Sequence, residues 1–341
     1  MKNLRFLQAF KFLFLLSLFG TALLGCQTKE NSHQNGVDEP PQAEKHLYIA
    51  FGQSNMQGPG AIRESDTQNI SDRWQTLNVV AGTYASEKRE KGQWYKAVPP
   101  LIIPDSGLTN YLGLSIGLGP SEHFGRTMVN GTQDHISLGL VAVANGDLAL
   151  SAFRKYAGAG YYSGSGNGGT VSFVDGDGQT KTVARTTNRP SDTERQGWTR
   201  YTDAGYASIY DAIVTNVKLA QSQGWIVKGI IFHQGESGRG LEDKTWVEIL
   251  KEIYDDILGD IGLKANSIPI ICGQLYGGGA ALENQLNLDN RIQNTIPNAW
   301  VISSDGCGGR TGSQQPDGIH FGSEGVQLLG ERYGKKMLEL E

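Results

Sequence analysis

The sequence predicts a three-layer α/β/α domain, in which helices cover both faces of a mainly parallel central sheet. Short runs rich in Val, Ile and Leu alternate along the chain with longer amphipathic stretches, and this is the pattern of buried parallel strands joined by helices. A chain of 341 residues is long enough for one large domain whose core needs no disulfide bonds. We therefore expect one main α/β domain.

Five apolar runs are the candidate strands of the sheet. Their unbroken Val, Ile and Leu character is typical of strands that are buried on both faces. The runs cover residues 47–51, 136–144, 227–232, 268–273 and 300–304.

Four amphipathic stretches are the candidate helices. In the second, apolar side chains recur at spacings of three and four residues from Trp246 to Ile257, which places them in one stripe facing the core. Gly259 follows as a stop. The four predicted helices cover residues 204–223, 245–258, about 280–295, and 323 to near 338.

The N-terminus predicts export. Lys2, Arg5 and Lys11 precede an apolar run over 12–24. This run is shorter than the ~20 residues of a membrane span, so we interpret 1–25 as a signal peptide. The ending Leu-Leu-Gly-Cys at 23–26 resembles a bacterial lipobox, which implies cleavage before Cys26, lipid on its sulfur and a protein anchored to a membrane of the bacterial cell envelope. The alternative is a plain signal peptide with an incidental cysteine.

Residues 26–45 are polar and lack an apolar period, so they are predicted to be a tether, and the domain is predicted to cover 46–341. Two stretches of the domain, near 60–118 and 157–200, do not fit the alternation of strands and helices. Insertions of this length usually lie above the carboxyl ends of the strands and shape a ligand site.

The first insertion is rich in turns. The second is polar and glycine-rich, and it is equally compatible with a loop that has no role. Trp198 and Tyr201 beside it favour a surface that stacks on sugar.

Composition excludes several functions. A net charge of −5 without a dense basic block in the domain excludes nucleic acid as a partner. The six histidines are scattered and the cysteines lack zinc spacing, so no metal or other cofactor is expected. Cys272 and Cys307 each close a predicted strand; two buried free thiols are the expected state, and a disulfide is the alternative.

A serine follows the first predicted strand within Gly52-Gln53-Ser54-Asn55-Met56. The carboxyl end of a buried strand is where α/β sheets bind ligands, and a glycine-containing turn there can expose a nucleophilic hydroxyl. Taken alone, such a serine is more often a helix cap or a turn residue.

A second motif, Asp317-Gly318-Ile319-His320, precedes the last predicted helix. A serine hydroxyl needs an imidazole to take its proton, and the imidazole needs a carboxylate to fix its tautomer. Asp and His three residues apart can supply both groups from one loop. Without the serine, a surface turn followed by a capping histidine would be the simpler interpretation.

Four motifs in order resemble the SGNH (GDSL-like) hydrolases, and within them the carbohydrate esterase group of acetylxylan esterases and sialate O-acetylesterases. They extend from about residue 46 to the C-terminus. Besides the two motifs above, they are Gly119-Pro120 with Phe124-Gly125-Arg126, and His233-Gln234-Gly235-Glu236-Ser237 at a strand end.

The resemblance implies a role for each matching residue. Ser54 would attack the acetyl carbonyl, His320 would act as general base and then general acid, and Asp317 would orient His320. The backbone N–H groups of Ser54 and Gly119 and the side-chain amide of Gln234 would form the oxyanion hole. Asn is usual in the third motif of the wider superfamily, so the Gln234 assignment follows the carbohydrate esterase branch.

Three further residues are expected to support the site. Glu236 could be a second base, but a buried acid must be paired or neutral, so we expect it to hydrogen-bond the loops around Ser54. Gln53 and Asn55, which flank Ser54, are assigned the same supporting role.

The resemblance implies an SGNH or flavodoxin-like sheet and hydrolysis through an acetyl-serine intermediate, without a cofactor or a protein partner. Acetylated plant polysaccharide, xylan above all, is the first expected substrate, and O-acetylated sialic acid is the alternative. An interpretation of another class is a surface lipoprotein that binds glycan without hydrolysing it. A lipase is disfavoured because the chain shows no long apolar lid.

Overall fold

The computed structural model describes seven stretches of the chain: 42–103, 116–157, 170–174, 178–184, 192–276, 291–309 and 317–341. All of them belong to one compact unit, Pro41–Glu341. The predicted signal peptide, Cys26 and most of the tether lie outside the described residues, as does most of the predicted helix 280–295. Among the described residues, no helix combines the length and apolar character that crossing a bilayer requires.

A sheet of seven strands forms the centre of the unit. The strands of the described residues are β1 Glu44–Gly52, β2 Gly60–Ala61, β3 Trp74–Leu77, β4 Gly82–Tyr84, β5 Glu87–Arg89, β6 Trp94–Lys96, β7 Ile116–Leu118, β8 Ile136–Ala144, β9 Thr170–Val174, β10 Thr180–Ala184, β11 Ile226–His233, β12 Ile270–Gly273 and β13 Ala299–Ile302. The order in the central sheet is β13, β12, β11, β1, β8, β3, β6. All neighbours are parallel except β3 and β6, which are antiparallel.

The five predicted strands are present as β1, β8, β11, β12 and β13, so the mainly parallel sheet is confirmed. The expectation of about five strands was too low. β3 and β6 lie in the stretch 60–118, which was interpreted as an insertion, and they are only four and three residues long. Strands this short carry too few residues to show a period. β1 begins at Glu44, so the sheet includes the last two residues of the segment predicted to be a tether.

Helices cover both faces of the sheet. Those of the described residues are α1 Ser54–Gln57, α2 Glu64–Thr67, α3 Pro120–Gly131, α4 Asp192–Asp203, α5 Ile209–Ser222, α6 Trp246–Asp260, α7 Ile292–Thr295 and α8 Ser323–Leu340, and Leu150–Phe153 forms a 3₁₀ helix. The helix predicted over 204–223 is shorter than expected, because Ser208 caps α5 by accepting a hydrogen bond from the Asp211 N–H at 3.0 Å. α4 was not predicted.

Two apolar layers confirm the three-layer architecture. α5 and α6 pack on one face of the sheet, where Ile213, Val217 and Ile253 are fully buried. α3 and α8 pack on the other, with Phe124 and Leu329 in the core. The carboxyl ends of the parallel strands lie at one edge of the sheet, between these layers. There Gly52 of β1 pairs with Ala144 of β8 on one side and with His233 of β11 on the other.

Candidate active site

Ser54, the predicted nucleophile, lies on a sharp turn at the carboxyl end of β1, which we call the nucleophile turn. A Cβ atom on Gly52 would lie 2.0 Å from the His233 carbonyl oxygen, so only glycine lets the chain pass this close to β11. The Gln53 N–H donates to the same oxygen at 3.0 Å. Ser54 then begins α1, and the N–H of a first helical residue has no acceptor within its helix. The turn presents both the hydroxyl and this N–H at the edge of the sheet.

The structure brings Ser54, His320 and Asp317 into one hydrogen-bonded chain. Ser54 Oγ lies 2.8 Å from His320 Nε2, and His320 Nδ1 lies 2.7 Å from Asp317 Oδ2. Because an ionised Asp317 can only accept, Nδ1 carries the proton and Nε2 is left as the acceptor for the serine hydroxyl. This is the arrangement that general-base activation of a serine requires.

The Asp317 carboxylate is fixed by its own loop. Its other oxygen accepts the backbone N–H groups of Ile319 at 2.9 Å and His320 at 2.8 Å. Partial burial alone would raise the pKa of Asp317, but the hydrogen bonds from the His320 ring and from the two N–H groups outweigh it and lower the pKa to about 2. Asp317 is therefore ionised at neutral pH.

Gln53 and Asn55, two of the residues predicted to support the site, both contact the loop after β11. Gln53 Oε1 accepts the N–H of Ser237 at 3.0 Å, which ties the nucleophile turn to the loop after β11. Asn55 is fully buried and donates to Glu236 Oε1 at 2.5 Å. These contacts link the first and third sequence motifs directly.

Glu236 is a buried carboxylate below the nucleophile turn. Burial alone would raise its pKa, but the His233 ring and the Asn55 amide lower the pKa below its ordinary value. His233 Nε2 lies 3.5 Å from Glu236 Oε1. The lowered pKa indicates that Glu236 is ionised, and its supporting role stays a prediction.

The structure does not place Gln234 in an oxyanion hole. Its amide group donates to the carbonyl oxygens of Leu148 at 3.1 Å and Gly238 at 3.0 Å, and its own carbonyl accepts the Trp246 indole N–H at 2.8 Å. Both donors of the Gln234 amide are thus occupied by backbone carbonyls, and its role as an oxyanion donor stays a prediction. Its side chain points to the α6 layer and holds the loop after β11 in place.

Gly119 is close to the nucleophile turn, but its N–H is already used. The residue precedes α3, and its N–H donates to Glu122 Oε2 at 3.1 Å. Burial raises the pKa of Glu122 to about 8, against the lowering effect of backbone N–H groups that include Gly119. Glu122 was not singled out in the sequence, although a glutamate three residues after a helix cap is the usual signal for such a contact.

The second insertion contributes a helix to the edge of the sheet. Arg200 of α4 donates to Asn145 Oδ1 at 2.8 Å, and Asn145 follows β8 beside the nucleophile turn. The expectation that Tyr201 stacks on sugar is wrong, because its ring is buried and its hydroxyl donates to the Ala144 carbonyl at 3.1 Å. Trp198 is half-buried and packs against the core.

Cys272 and Cys307 are free and buried, which confirms the expected thiols and excludes the alternative disulfide. Burial raises the pKa of both. In the described ranges, no three His, Cys, Asp or Glu side chains lie together in a way that could hold a metal ion.

Comparison with known proteins gives one family. The model of a family described as carbohydrate esterase, sialic acid-specific acetylesterase, matches residues 44–165 and 190–339. The unmatched residues 166–189 contain the hairpin of β9 and β10.

Solved structures share the fold at low identity. A protein from Arabidopsis thaliana is 17% identical with a TM-score of 0.56, over 88% of this chain and 99% of that one. NanS is 15% identical with a TM-score of 0.55, over 89% and 99%. A carbohydrate acetylesterase from Xanthomonas citri is 14% identical with a TM-score of 0.50, over 86% and 57%.

Proposed function

Since this chain belongs to the carbohydrate esterase family of sialic acid-specific acetylesterases, and is thus a carboxylic ester hydrolase that removes O-acetyl groups from carbohydrate, we propose that Ser54 is its nucleophile. Two contacts in series carry the proposal: Ser54 Oγ lies 2.8 Å from His320 Nε2, and His320 Nδ1 lies 2.7 Å from Asp317 Oδ2. An ordered serine, imidazole and carboxylate is the arrangement by which many hydrolases activate a hydroxyl.

The reaction has two steps. Ser54 Oγ bonds to the acetyl carbon while its proton passes to His320 Nε2, and Asp317 stabilises the imidazolium that forms. His320 then donates this proton to the sugar oxygen as the C–O bond breaks, which leaves acetyl-Ser54. In the second step His320 takes a proton from water while the hydroxide attacks the acetyl carbon. The bond to Ser54 Oγ then breaks as His320 returns the proton to that oxygen, and the acetic acid that leaves ionises to acetate.

Negative charge on the carbonyl oxygen needs hydrogen-bond donors. The Ser54 N–H is the first, because it begins α1 without an acceptor in that helix. Gly119 can be a second only if its N–H moves from Glu122 to the oxyanion. A neutral Glu122 favours this exchange, since a charged oxygen is a stronger acceptor than an uncharged carboxylic acid.

Acetylated plant polysaccharide, xylan above all, is the first substrate that we propose, as the resemblance in sequence implies. O-acetylated sialic acid is the second candidate, and the description of the matching family favours it. We also propose that lipid at Cys26 anchors the enzyme to a membrane of the cell envelope, on the basis of the residues before it.

Acetate release from acetylxylan, acetylated monosaccharides and O-acetylated sialic acid tests the proposal, with Ser54→Ala as the control. The highest kcat/KM on acetylxylan supports the first substrate, and the highest value on sialic acid supports the second. Release that survives in Ser54→Ala would overturn the mechanism. A folded wild-type enzyme that releases no acetate would favour glycan binding without hydrolysis.

A further inference from the structure

One buried side chain links the nucleophile turn to the loop that carries the general base. Asn55 is fully buried, and its amide nitrogen donates to the Ile319 carbonyl at 3.0 Å as well as to Glu236. Its amide oxygen accepts the Phe321 N–H at 3.2 Å. Two donors and one acceptor are engaged, so the orientation of the amide follows from its partners.

These contacts lie on both sides of His320. Ile319 and Phe321 are its neighbours in the chain, so Asn55 holds the peptide groups that precede and follow the imidazole. Asn55 also follows Ser54 directly. The side chain therefore fixes the distance between two catalytic groups that are 266 residues apart in sequence.

The Asn55 amide is itself held by a charged partner. The Glu236 carboxylate is ionised, and a hydrogen bond to a charged acceptor is stronger than one between neutral groups. Behind it, His233 Nδ1 lies 3.2 Å from the Tyr333 hydroxyl, which donates to the Phe232 carbonyl at 2.6 Å. Glu236 thus lies 3.5 Å from a ring that is held between β11 and α8 of the core.

We propose that Asn55 is the positioning residue that sets His320 against Ser54, and that buried Glu236 orients the Asn55 amide. This inference rests on the proposed serine mechanism and adds a residue that touches neither the substrate nor the transferred proton. Displacing a reacting group by about 1 Å can cost ~10²-fold in rate, so the expected effect falls on kcat and leaves KM nearly unchanged.

The first test compares two variants, Asn55→Asp and Asn216→Asp. Asn216 is a matched control because it is also a buried helical asparagine, and its amide donates to the Tyr206 hydroxyl and the Ala212 carbonyl, each at 2.7 Å. Asp at position 55 keeps the acceptor for Phe321 but loses both donors and faces the Glu236 charge. We expect Asn55→Asp to lower kcat by ~10²-fold and Asn216→Asp to leave it unchanged, when both are measured below their unfolding temperatures.

The second test uses the double variant Asn55→Asp with Glu236→Gln. If the single variant does not fold, kcat of the double variant is compared with that of the wild type. The amide introduced at position 236 can donate to the new carboxylate at position 55, which restores the hydrogen bond with reversed polarity. We expect the double variant to recover about ten-fold of the lost kcat. Equal kcat in wild type and Asn55→Asp, or a double variant no better than the single one, would overturn the positioning role. A wild-type enzyme that releases no acetate would instead overturn the proposed function.

Discussion

Replacing Gln234 with alanine separates a structural role from a catalytic one. The substitution removes an amide that satisfies three buried groups: the carbonyl oxygens of Leu148 and Gly238 and the indole N–H of Trp246. Each buried group left without a partner costs about 1–3 kcal/mol. Because water entering the vacated space would satisfy part of this loss, we expect the free energy of unfolding to fall by roughly 4 kcal/mol.

Two measurements on Gln234→Ala decide between the roles. Urea unfolding gives the stability, and acetate release below the unfolding temperature gives kcat of the folded enzyme. We expect a large loss of stability and less than a ten-fold loss of kcat. Asn78→Ala is a control, since Asn78 is buried and donates to the Val80 and Glu90 carbonyls. A kcat loss of ~10²-fold or more with unchanged stability would refute this assignment and return Gln234 to the oxyanion hole.

Three further predictions concern charge and location. The neutral Glu122 carboxyl contributes stability that is fully present below its ordinary pKa of 4.5 and is lost as pH rises through about 8. The free energy of unfolding should therefore fall across this pH range, and Glu122→Gln should flatten its dependence on pH. Asp317→Asn should lower kcat by ~10⁴-fold at neutral pH, because the amide no longer fixes the His320 tautomer or stabilises the imidazolium; near-normal kcat in this variant would contradict the role of Asp317. Cys26→Ser should move the protein from the membrane to the soluble fraction in cell fractionation, and unchanged membrane retention would contradict the anchor.

Much of the fold could be predicted because its central strands are long and continuously apolar. The strand predicted over 136–144 matches β8 at both ends. β3 and β6 could not be predicted in this way, since Trp74 and Trp94 begin segments of three or four residues within turn-rich sequence. Their place in the sheet depends on pairing with β8 and with each other, which no local pattern shows.

The proposed catalytic residues could be singled out in the sequence because their chemistry and spacing are restrictive. The partners of the Gln234 amide could not be predicted because a motif at a strand end does not show to which side its side chain points. Successive strand residues face opposite layers, and His233 contacts Tyr333 of α8, so Gln234 must face α6, where it binds Trp246. The raised pKa of Glu122, the acceptor of the Gly119 N–H, could not be predicted either. It is caused by burial, which the sequence does not show.

The central claim is that Ser54 carries the acetyl group during turnover. Wild-type enzyme mixed with excess p-nitrophenyl acetate and quenched rapidly in acid can be digested, and the mass of the peptide containing Ser54 measured. We expect this peptide to gain the mass of one acetyl group, and His320→Ala to show no gain on the same timescale. Rapid acetate release without an acetylated Ser54 peptide, together with full activity of Ser54→Ala, would contradict the account.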